Sequence, residues 1–184
     1  VGKISEKSSY KDMGLGLEKE GYVLGAYLSG QLVASCEFRL SRFHSISMEE
    51  KVDLSNLDNL NKNNYSEINK LVVHPKAKGT DVVLGILQKI HAIATINDNP
   101  DGLILSEPKL IKFYEKIGFK KVNTFLQHPH IDGLMLQLMI VKGQSYADSS
   151  GMNPYVWSQA FELNHIFFNH IGMQKRVQFG LKQK

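Results

Sequence analysis

A lysine- and glycine-containing loop lies between a β-rich run and a helical pattern. Residues 72–83 read VVHPKAKGTDVV, and the loop within them contains Lys76, Lys78 and Gly79. The first N–H groups of a helix are unpaired and the helix dipole is positive there, so this layout can bind an anion such as a phosphate. Many strand-to-helix junctions have the same composition without binding anything, which leaves a purely structural loop as the alternative.

The run before this loop is predicted to be one strand of a sheet that begins with a hairpin. Residues 22–28 and 31–41 are β-rich and are joined by Ser29-Gly30, the two-residue signal for a tight antiparallel turn. Alternate residues of the second run are apolar, so one face is predicted to be buried. The predicted apolar face consists of Leu32, Ala34, Cys36, Phe38 and Leu40, with Glu37 and Arg39 on the other face.

The middle of the chain predicts a parallel strand–helix–strand unit. Residues 42–65 are polar and are interpreted as a long loop or lid. A strand over 66–74 stops at Pro75, and apolar residues at helical spacing predict a helix over 81–97 with Thr80 as its N-cap.

The remaining elements complete a mixed sheet. They are a turn at 99–102, a strand over 103–105, a helix over 107–117 ending at Gly118, strands over 119–125 and 133–141, and an amphipathic helix from Asn153-Pro154 to about residue 171. This order predicts an α/β fold, with a mixed sheet flanked by helices, and a single domain over residues 1–184.

Composition excludes several classes of protein. The formal net charge is +4 with a basic tail, but that tail has no interleaved aromatic residues, so nucleic-acid binding is not expected. One cysteine cannot form an internal disulfide, and no apolar run approaches the roughly 20 residues of a membrane span. No secretory signal opens the chain, so a cytoplasmic location is expected. The chain begins with Val1 and not with methionine, which leaves the completeness of its N-terminus open.

Two motifs resemble those of the GNAT superfamily of N-acyltransferases. Val73-His74-Pro75 followed by residues 78–83 is similar to the cofactor motif Val-x-Pro, then Arg/Gln-x-x-Gly-x-Gly/Ala, and residues 113–119 match the second motif, a helix ending Phe-Tyr-x-x-x-Gly-Phe. The resemblance covers about residues 20–125 and implies a GNAT-like fold and an enzyme that moves an acyl group from acyl-CoA or acyl-phosphopantetheine to a small-molecule amine. The cofactor-binding residues that it implies are Leu71, Val72, Val73, Lys76, Lys78, Gly79, Thr80 and Phe113.

A narrower resemblance connects the chain to the N-acyl amino acid synthases and acyl-homoserine-lactone synthases, which use acyl carrier protein thioesters. Residues 67–70, Glu-Ile-Asn-Lys, are similar to their Glu-x-Ser-Arg sequence, although lysine cannot make the bidentate fork of arginine. Arg39-Leu40 is similar to an Arg-Leu of the preceding strand, which implies that Arg39 contacts substrate.

The cofactor loop departs from the GNAT pattern at Asp81 and Val83, where that superfamily has small residues. The Asp81 carboxylate would repel the pyrophosphate of coenzyme A. Either Lys76 and Lys78 offset this charge, or the donor carries only the phosphopantetheine arm of an acyl carrier protein.

The resemblance also assigns roles in acyl transfer. Glu67 is predicted to take the amine proton, directly or through water, provided that burial raises its pKa; an ion pair with Lys70 or Arg39 is the alternative. The N–H groups of Leu71–Val73 are the candidate oxyanion donors, because the strand of this superfamily splays there. Tyr114 is predicted to protonate the leaving sulfur, with helix packing as its alternative role.

Other reactive side chains are interpreted as structural. Cys36 lies on an apolar strand face and is rejected as a nucleophile. The pairs His128/His130 and His165/His170 lack metal-ligand spacing, so no metal is predicted. Bulky apolar residues suit core packing or, alternatively, a channel for an acyl chain; they are Met135, Met139, Trp157, Phe161, Phe167 and Phe168, with Gln137 among them.

Two functions of different classes remain open after these observations. One is a working N-acyltransferase whose acceptor pocket is built by residues 1–20 and the loop 42–65. The other is a catalytically inactive GNAT-like module that binds an acyl thioester as a sensor, an interpretation supported by Asp81 and Val83. Turnover of an acyl thioester by the protein would distinguish the enzyme from the inactive sensor.

Overall fold

A computed structural model describes residues 21–57, 60, 64–79, 81–99 and 101–162, and its strands form one six-stranded sheet. The strands are β1 (Tyr22–Leu28), β2 (Gln31–Leu40), β3 (Tyr65–Val73), β4 (Asp101–Ser106), β5 (Lys120–Gln127) and β6 (Met135–Val141). Their order is β1-β2-β3-β4-β6-β5, in which β3 and β4 run parallel and all other neighbours run antiparallel.

Helices flank this sheet. They are α1 (Val82–Ile96), α2 (Ile111–Lys116), α3 (Gly143–Asp148) and α4 (Pro154–Trp157), with 3-10 turns at Leu54–Asn56, Pro75–Ala77 and Pro108–Leu110 and a π-helical turn at Ser158–Glu162. The predicted mixed sheet flanked by helices is confirmed. None of the helices in the described ranges is long and apolar enough to cross a membrane.

The first hairpin forms as predicted, but its bulge changes which side chains are buried. Ser29 and Gly30 both have positive φ, 50° and 78°, which is the backbone of a tight two-residue turn. Ala26 pairs with Ala34 whereas Tyr27 pairs with Leu32, so β2 has one extra residue here. The extra residue breaks the alternation, and Leu32, predicted to be buried, is 53% exposed.

The sheet separates two hydrophobic cores, because successive strand residues face opposite sides. Ile104 and Met139 lie in the core that also contains α1 and Tyr114 of α2, while Leu103 and Leu138 lie in the other core. That second core is closed by Ile46, Met48, Leu54 and Leu60. Residues 42–57 are therefore an irregular segment, as predicted, but one whose apolar residues form a layer under the sheet, not a lid.

Helix α1 begins one residue later than predicted. Its N-cap is Asp81, whose side chain makes no capping hydrogen bond, and the predicted N-cap Thr80 lies outside the described residues. The predicted apolar stripe is buried at Ile86, Leu87, Ile90 and Ala94, and it includes His91, which has only 9% of its surface exposed.

Strand β4 is longer than the sequence indicates. Asp101 and Gly102, predicted to form a turn, pair in the sheet with β3. The buried Asp101 carboxylate accepts hydrogen bonds from Lys142 Nζ at 2.6 Å and from the Gly143 backbone N–H at 2.9 Å. These contacts hold the start of α3, a helix that the sequence does not predict.

The last described helix starts as expected. Asn153 Oδ1 accepts hydrogen bonds from the N–H groups of Tyr155 and Val156, and Pro154 occupies the first turn. The helical chain is described to Glu162, so the predicted continuation to residue 171, with His165, Phe167, Phe168 and His170, lies outside the described residues.

Gly118 follows the end of α2, as predicted. Its backbone has a conformation that residues other than glycine rarely adopt. Its φ is 93°, and a Cβ added there would lie 2.7 Å from Met152 Cε and 2.9 Å from Met152 Cγ. We therefore expect Gly118→Ala to lower the free energy of unfolding by about 1–3 kcal/mol. Chemical denaturation monitored by circular dichroism measures this change.

Gly85 provides the matched control for that substitution. It lies inside α1, and a Cβ added there meets no atom of the described residues within 4 Å, apart from the backbone of its own helix. Gly85→Ala should therefore leave the free energy of unfolding unchanged or raise it by up to about 1 kcal/mol. Equal losses in both variants would contradict the conformational role of Gly118.

Candidate active site

The central parallel strands separate after four residue pairs. β3 and β4 pair from Tyr65 and Asp101 to Ile68 and Ile104. Beyond that point β4 continues to pair with β6, and β3 continues to pair with β2 as far as Val73. A gap therefore opens between the carboxyl ends of two parallel neighbours, a position where ligands bind in many α/β sheets.

A β-bulge in β3 lies at the same point. Glu37 pairs with Asn69 and Ser35 with Val72, so β3 has one more residue than β2 between these pairs. Within the bulge Lys70 has a φ of 50°, a left-handed conformation that is uncommon for residues other than glycine. The bulge interrupts the regular ladder just before Leu71–Val73, so these predicted oxyanion donors lie on the stretch of β3 that borders the gap.

The predicted anion loop follows β3 directly. His74 Nδ1 accepts a hydrogen bond from the Lys76 N–H, which shapes the 3-10 turn, and Gly79 has a φ of 80°. Lys76, Lys78 and Gly79 are exposed beside the start of α1, and Asp81 is exposed at its N-cap. The loop thus has two exposed lysines and one exposed aspartate in the stretch between the end of β3 and the start of α1.

Glu67 lies on the face of the sheet that residues 42–57 cover, and it is 1% exposed. Its Oε2 accepts a hydrogen bond from the Ser47 N–H at 2.9 Å, and its Oε1 accepts one from Ser47 Oγ at 2.8 Å. Ser47 Oγ in turn accepts a hydrogen bond from Asn69 Nδ2 at 3.2 Å. The sequence gives no signal for Ser47, because it lies in an irregular segment 20 residues before its partner.

The lysine predicted as an alternative partner of Glu67 binds elsewhere. Lys70 Nζ is 2.7 Å from Glu37 Oε1, so the Lys70–Glu67 ion pair is wrong. Arg39, the predicted substrate contact, is the residue of β2 that lies opposite Glu67 of β3 in the strand register. It is 9% exposed. Its Nη1 donates a hydrogen bond to the Ser45 carbonyl at 3.2 Å.

Tyr114 lies in the opposite core, which also contains Cys36. Its ring packs between Phe113 and Phe119, with ring centroids 5.1 Å and 5.7 Å away, and only 4% of the residue is exposed. Burial, with smaller effects of Cys36 and Glu107, raises the pKa of Tyr114 and so keeps the phenol protonated.

The Tyr114 hydroxyl has no hydrogen-bond partner among the described residues. A protonated phenol without an internal partner can donate a hydrogen bond to a ligand.

For the bulky apolar side chains that the structure describes, the observed contacts favour core packing over an acyl channel. Met139 and Phe161 are buried in the same core as Tyr114, and Trp157 Nε1 donates a hydrogen bond to the Tyr146 carbonyl. Gln137 Nε2 donates hydrogen bonds to the carbonyls of Val122 and Thr124 in an irregular stretch of β5. These contacts account for the residues without an acyl ligand; Met135, at 45% exposed, is the exception.

The parts of the chain that the structure describes contain no cluster of three or more histidine, cysteine, aspartate or glutamate residues that could hold a metal ion. His128 and His130 lie in one turn, and the ring atom Nδ1 of His128 accepts a hydrogen bond from the backbone N–H of His130.

A mixed sheet whose parallel centre parts at a bulge, next to a loop that leads into a helix N-terminus, is the arrangement of a GNAT-like fold. Solved structures agree with this fold. The N-acyl amino acid synthase FeeM from uncultured soil microbes matches with a TM-score of 0.53 and 12% identity over 68% of this chain and 74% of that one. MesI, a CoA-dependent acyl-homoserine lactone synthase, matches with a TM-score of 0.53 and 14% identity over 77% and 67%. A putative N-acetyltransferase from Lactobacillus plantarum matches with a TM-score of 0.52 and 13% identity over 76% and 82%.

The particular family follows from the sequence profile of N-acyl amino acid synthase FeeM, which matches residues 7–142. The chain belongs to this family. It is an N-acyltransferase, an enzyme that transfers an acyl group to an amine. No curated protein sequence gives a significant match.

Cys36 gives a test of the core next to Tyr114. The residue is 1% exposed, and burial, with a smaller effect of Glu37, raises the pKa of its thiol from 9.0 to about 12. Because the folded protein holds the thiol proton more tightly than the unfolded chain does, the Cys36 thiol contributes to stability. This contribution is complete below pH 9 and is lost as pH rises toward the folded pKa. We expect the free energy of unfolding of the native sequence to fall between pH 9 and 12 by up to about 1.4 kcal/mol per pH unit more than that of Cys36→Ala.

Denaturation at a series of pH values measures both slopes, and the difference between them removes the titration of tyrosines common to both proteins. Parallel pH dependence of the two proteins would show that the Cys36 thiol is not held protonated by the fold.

Proposed function

We propose that the donor is an acyl-phosphopantetheine carried by an acyl carrier protein and that the acceptor is the amine of an amino acid. The observation that carries the choice of donor is the position of Asp81. Its carboxylate is exposed at the N-cap of α1 and makes no capping hydrogen bond, so it is available to interact with a ligand at the helix N-terminus. The choice of acceptor is supported by membership of the N-acyl amino acid synthase family.

Charge at this helix end separates the two possible donors. Coenzyme A would bring a pyrophosphate toward the Asp81 carboxylate, and like charges about 4 Å apart repel by roughly 1 kcal/mol in water and about 4 kcal/mol near a protein surface. The phosphopantetheine arm carries a single phosphodiester. Lys76 and Lys78 are exposed next to Asp81, and their charge suits an acidic carrier protein.

The proposed chemistry forms a C–N bond and breaks a C–S bond. The amine attacks the thioester carbonyl in the gap between β3 and β4, and the backbone N–H groups of Leu71–Val73 stabilise the oxyanion. The intermediate collapses to the amide, the electron pair goes to sulfur, and Tyr114 supplies the proton that completes the thiol. Lys76, Lys78, Gly79, Thr80 and Phe113 are the proposed surroundings of the phosphopantetheine.

The acceptor is proposed to approach from the other face of the sheet. Glu67 accepts the proton that the amine loses, and Arg39, its neighbour in the register, is proposed to hold the carboxylate of the amino acid. Charge-assisted hydrogen bonds from a guanidinium suit that group. A catalytic cycle without a metal, a cytoplasmic location and a single domain over residues 1–184 stay predictions.

Acyl-CoA is the second candidate donor. A specific observation favours it, since MesI, described as CoA-dependent, has a similar fold at 14% identity. Lys76 and Lys78 would then offset Asp81.

The donor is tested by incubating the protein with palmitoyl acyl carrier protein, palmitoyl-CoA or acetyl-CoA, each with a mixture of amino acids, and measuring thiol release and product mass. We expect the largest kcat/KM with the carrier protein. Asp81→Asn should raise kcat/KM for palmitoyl-CoA about tenfold, equivalent to about 1.4 kcal/mol, and leave the carrier-protein value nearly unchanged.

Asp98→Asn is the control, because it removes the same charge at the opposite end of α1, roughly 20 Å away. Higher kcat/KM for palmitoyl-CoA in the unaltered protein would overturn the proposed donor. Tight binding of a donor without thiol release from any of them would favour the inactive sensor.

Tyr114→Phe tests the leaving-group step. Removing the hydroxyl should lower kcat about 10²–10³-fold with little change in KM, because the hydroxyl acts as the thiolate leaves. Tyr155→Phe removes the same group from a side chain that is 60% exposed on α4, and it should keep full activity. Unchanged kcat in Tyr114→Phe would assign Tyr114 to packing alone.

A further inference from the structure

We propose that Ser47 is the residue that contacts the acceptor amine and that it passes the amine proton to Glu67. This inference rests on the proposed acyl transfer and names a catalytic group that the sequence motifs do not contain. It assigns Glu67 the role of a buried proton acceptor behind a serine hydroxyl.

The burial of Glu67 is the first observation. With 1% of its surface exposed, Glu67 has almost no area that an acceptor amine could touch. Ser47 covers both carboxylate oxygens, one with its backbone N–H and the other with its hydroxyl. A proton that reaches Glu67 by the short route must therefore pass through Ser47 Oγ, which is 2.8 Å from Oε1.

The hydrogen bonds of the Ser47 hydroxyl orient it for this step. A serine hydroxyl has one donor and two acceptor lone pairs. The donor is directed to Glu67 Oε1, and one lone pair accepts from Asn69 Nδ2. Among the described residues no other group bonds to Ser47 Oγ, so its second lone pair can accept an N–H of the amine. The group presented to the acceptor is thus a proton acceptor whose own proton already points at a carboxylate.

The surroundings hold Ser47 at the right place. Ser47 is partly exposed, whereas its neighbours Ile46 and Met48 are buried, at 2% and 1% exposed, in the core under the sheet. Asn69, its other partner, is the last residue before the bulge at Lys70, where β3 and β4 have just separated. The hydroxyl therefore lies at the inner end of the gap, on the face proposed for the acceptor.

The relay balances every proton. As the amine nitrogen bonds to the carbonyl carbon, its proton moves to Ser47 Oγ while the Ser47 proton moves to Glu67 Oε1. The C–S bond then breaks, and the sulfur takes a proton from Tyr114. Glu67 returns its proton to solvent through Ser47, and Tyr114 regains one, so the net change is the loss of one amine proton and the gain of one thiol proton.

Ser47→Ala is the informative variant, because the backbone N–H that binds Glu67 Oε2 stays in place. With palmitoyl acyl carrier protein and the most active amino acid from the mixture, we expect kcat to fall about 10²-fold or more and the donor KM to change little. Ser47→Thr, which retains a hydroxyl, should recover most of the rate.

Glu67→Gln and the double variant Ser47→Ala/Glu67→Gln complete the test. Because the two residues act in one relay, the double variant should be no slower than the slower single variant, whereas independent roles would multiply the losses. Ser158→Ala is the control, since it also removes a hydrogen-bonded serine hydroxyl, one that donates to the Tyr155 carbonyl outside residues 42–65, and it should keep full activity.

The relay is overturned if Ser47→Ala stays within threefold of the unaltered rate while Glu67→Gln is slow. It is also overturned if the loss in Ser47→Ala is multiplied in the double variant. Absence of thiol release from the unaltered protein with every donor would be a different result, because it would remove the proposed acyl transfer itself.

Discussion

The separation of β3 and β4 after Ile68 and Ile104 is the constraint on which the candidate site depends. Parallel strands normally exchange hydrogen bonds along their whole shared length, and a buried N–H without a partner costs about 1–3 kcal/mol. Here the ladder stops after four pairs, and β4 finds its further partners only in β6. Among the described strands, the stretch of β3 from Leu71 to Val73 has β2 as its one neighbour, which leaves one side on which a ligand can pair with it.

The bulge at Lys70 makes this separation compatible with a continuous β2–β3 hairpin. One extra residue in β3 turns the strand, and the strained φ of Lys70 is accompanied by the ion pair of its ammonium group with Glu37, 2.7 Å away across the ladder. Upstream of the bulge, Glu67 faces the layer formed by residues 42–57; on the other face, Tyr114 packs over Cys36. The two groups proposed to handle protons thus lie on opposite sides of the sheet, so the acceptor and the leaving thiol can enter and leave by different faces.

The parts of the fold that could be predicted are those where local patterning decides the structure. Ser29-Gly30 adopts the turn that its residue types favour, Gly118 terminates α2, and Asn153-Pro154 starts a helix, because each depends on a few adjacent residues. The α1 stripe and the motif at residues 113–119 located the two helices beside the gap. Leu32 is wrongly predicted as buried because a bulge, which leaves no mark on alternation, shifts the register of β2.

Contacts between distant segments could not be predicted. Ser47 meets Glu67 from a segment without periodicity, and Asp101 binds Lys142 across the 41 residues that separate them in sequence. Glu67 was identified through the family motif, but its hydrogen-bond partner Ser47 could not be. The choice of Lys70 between Glu37 and Glu67 is likewise decided by the bulge.

The most direct measurement of the central claim is backbone amide NMR of the isotope-labelled protein during titration with a non-hydrolysable palmitoyl-pantetheine analogue. If the gap holds the thioester, the amide resonances of Leu71, Val72 and Val73 shift and become protected from hydrogen exchange, while those of β5, on the far side of the sheet, stay unchanged. Saturable binding that leaves the amides of Leu71–Val73 unaltered and perturbs another part of the chain would contradict the account.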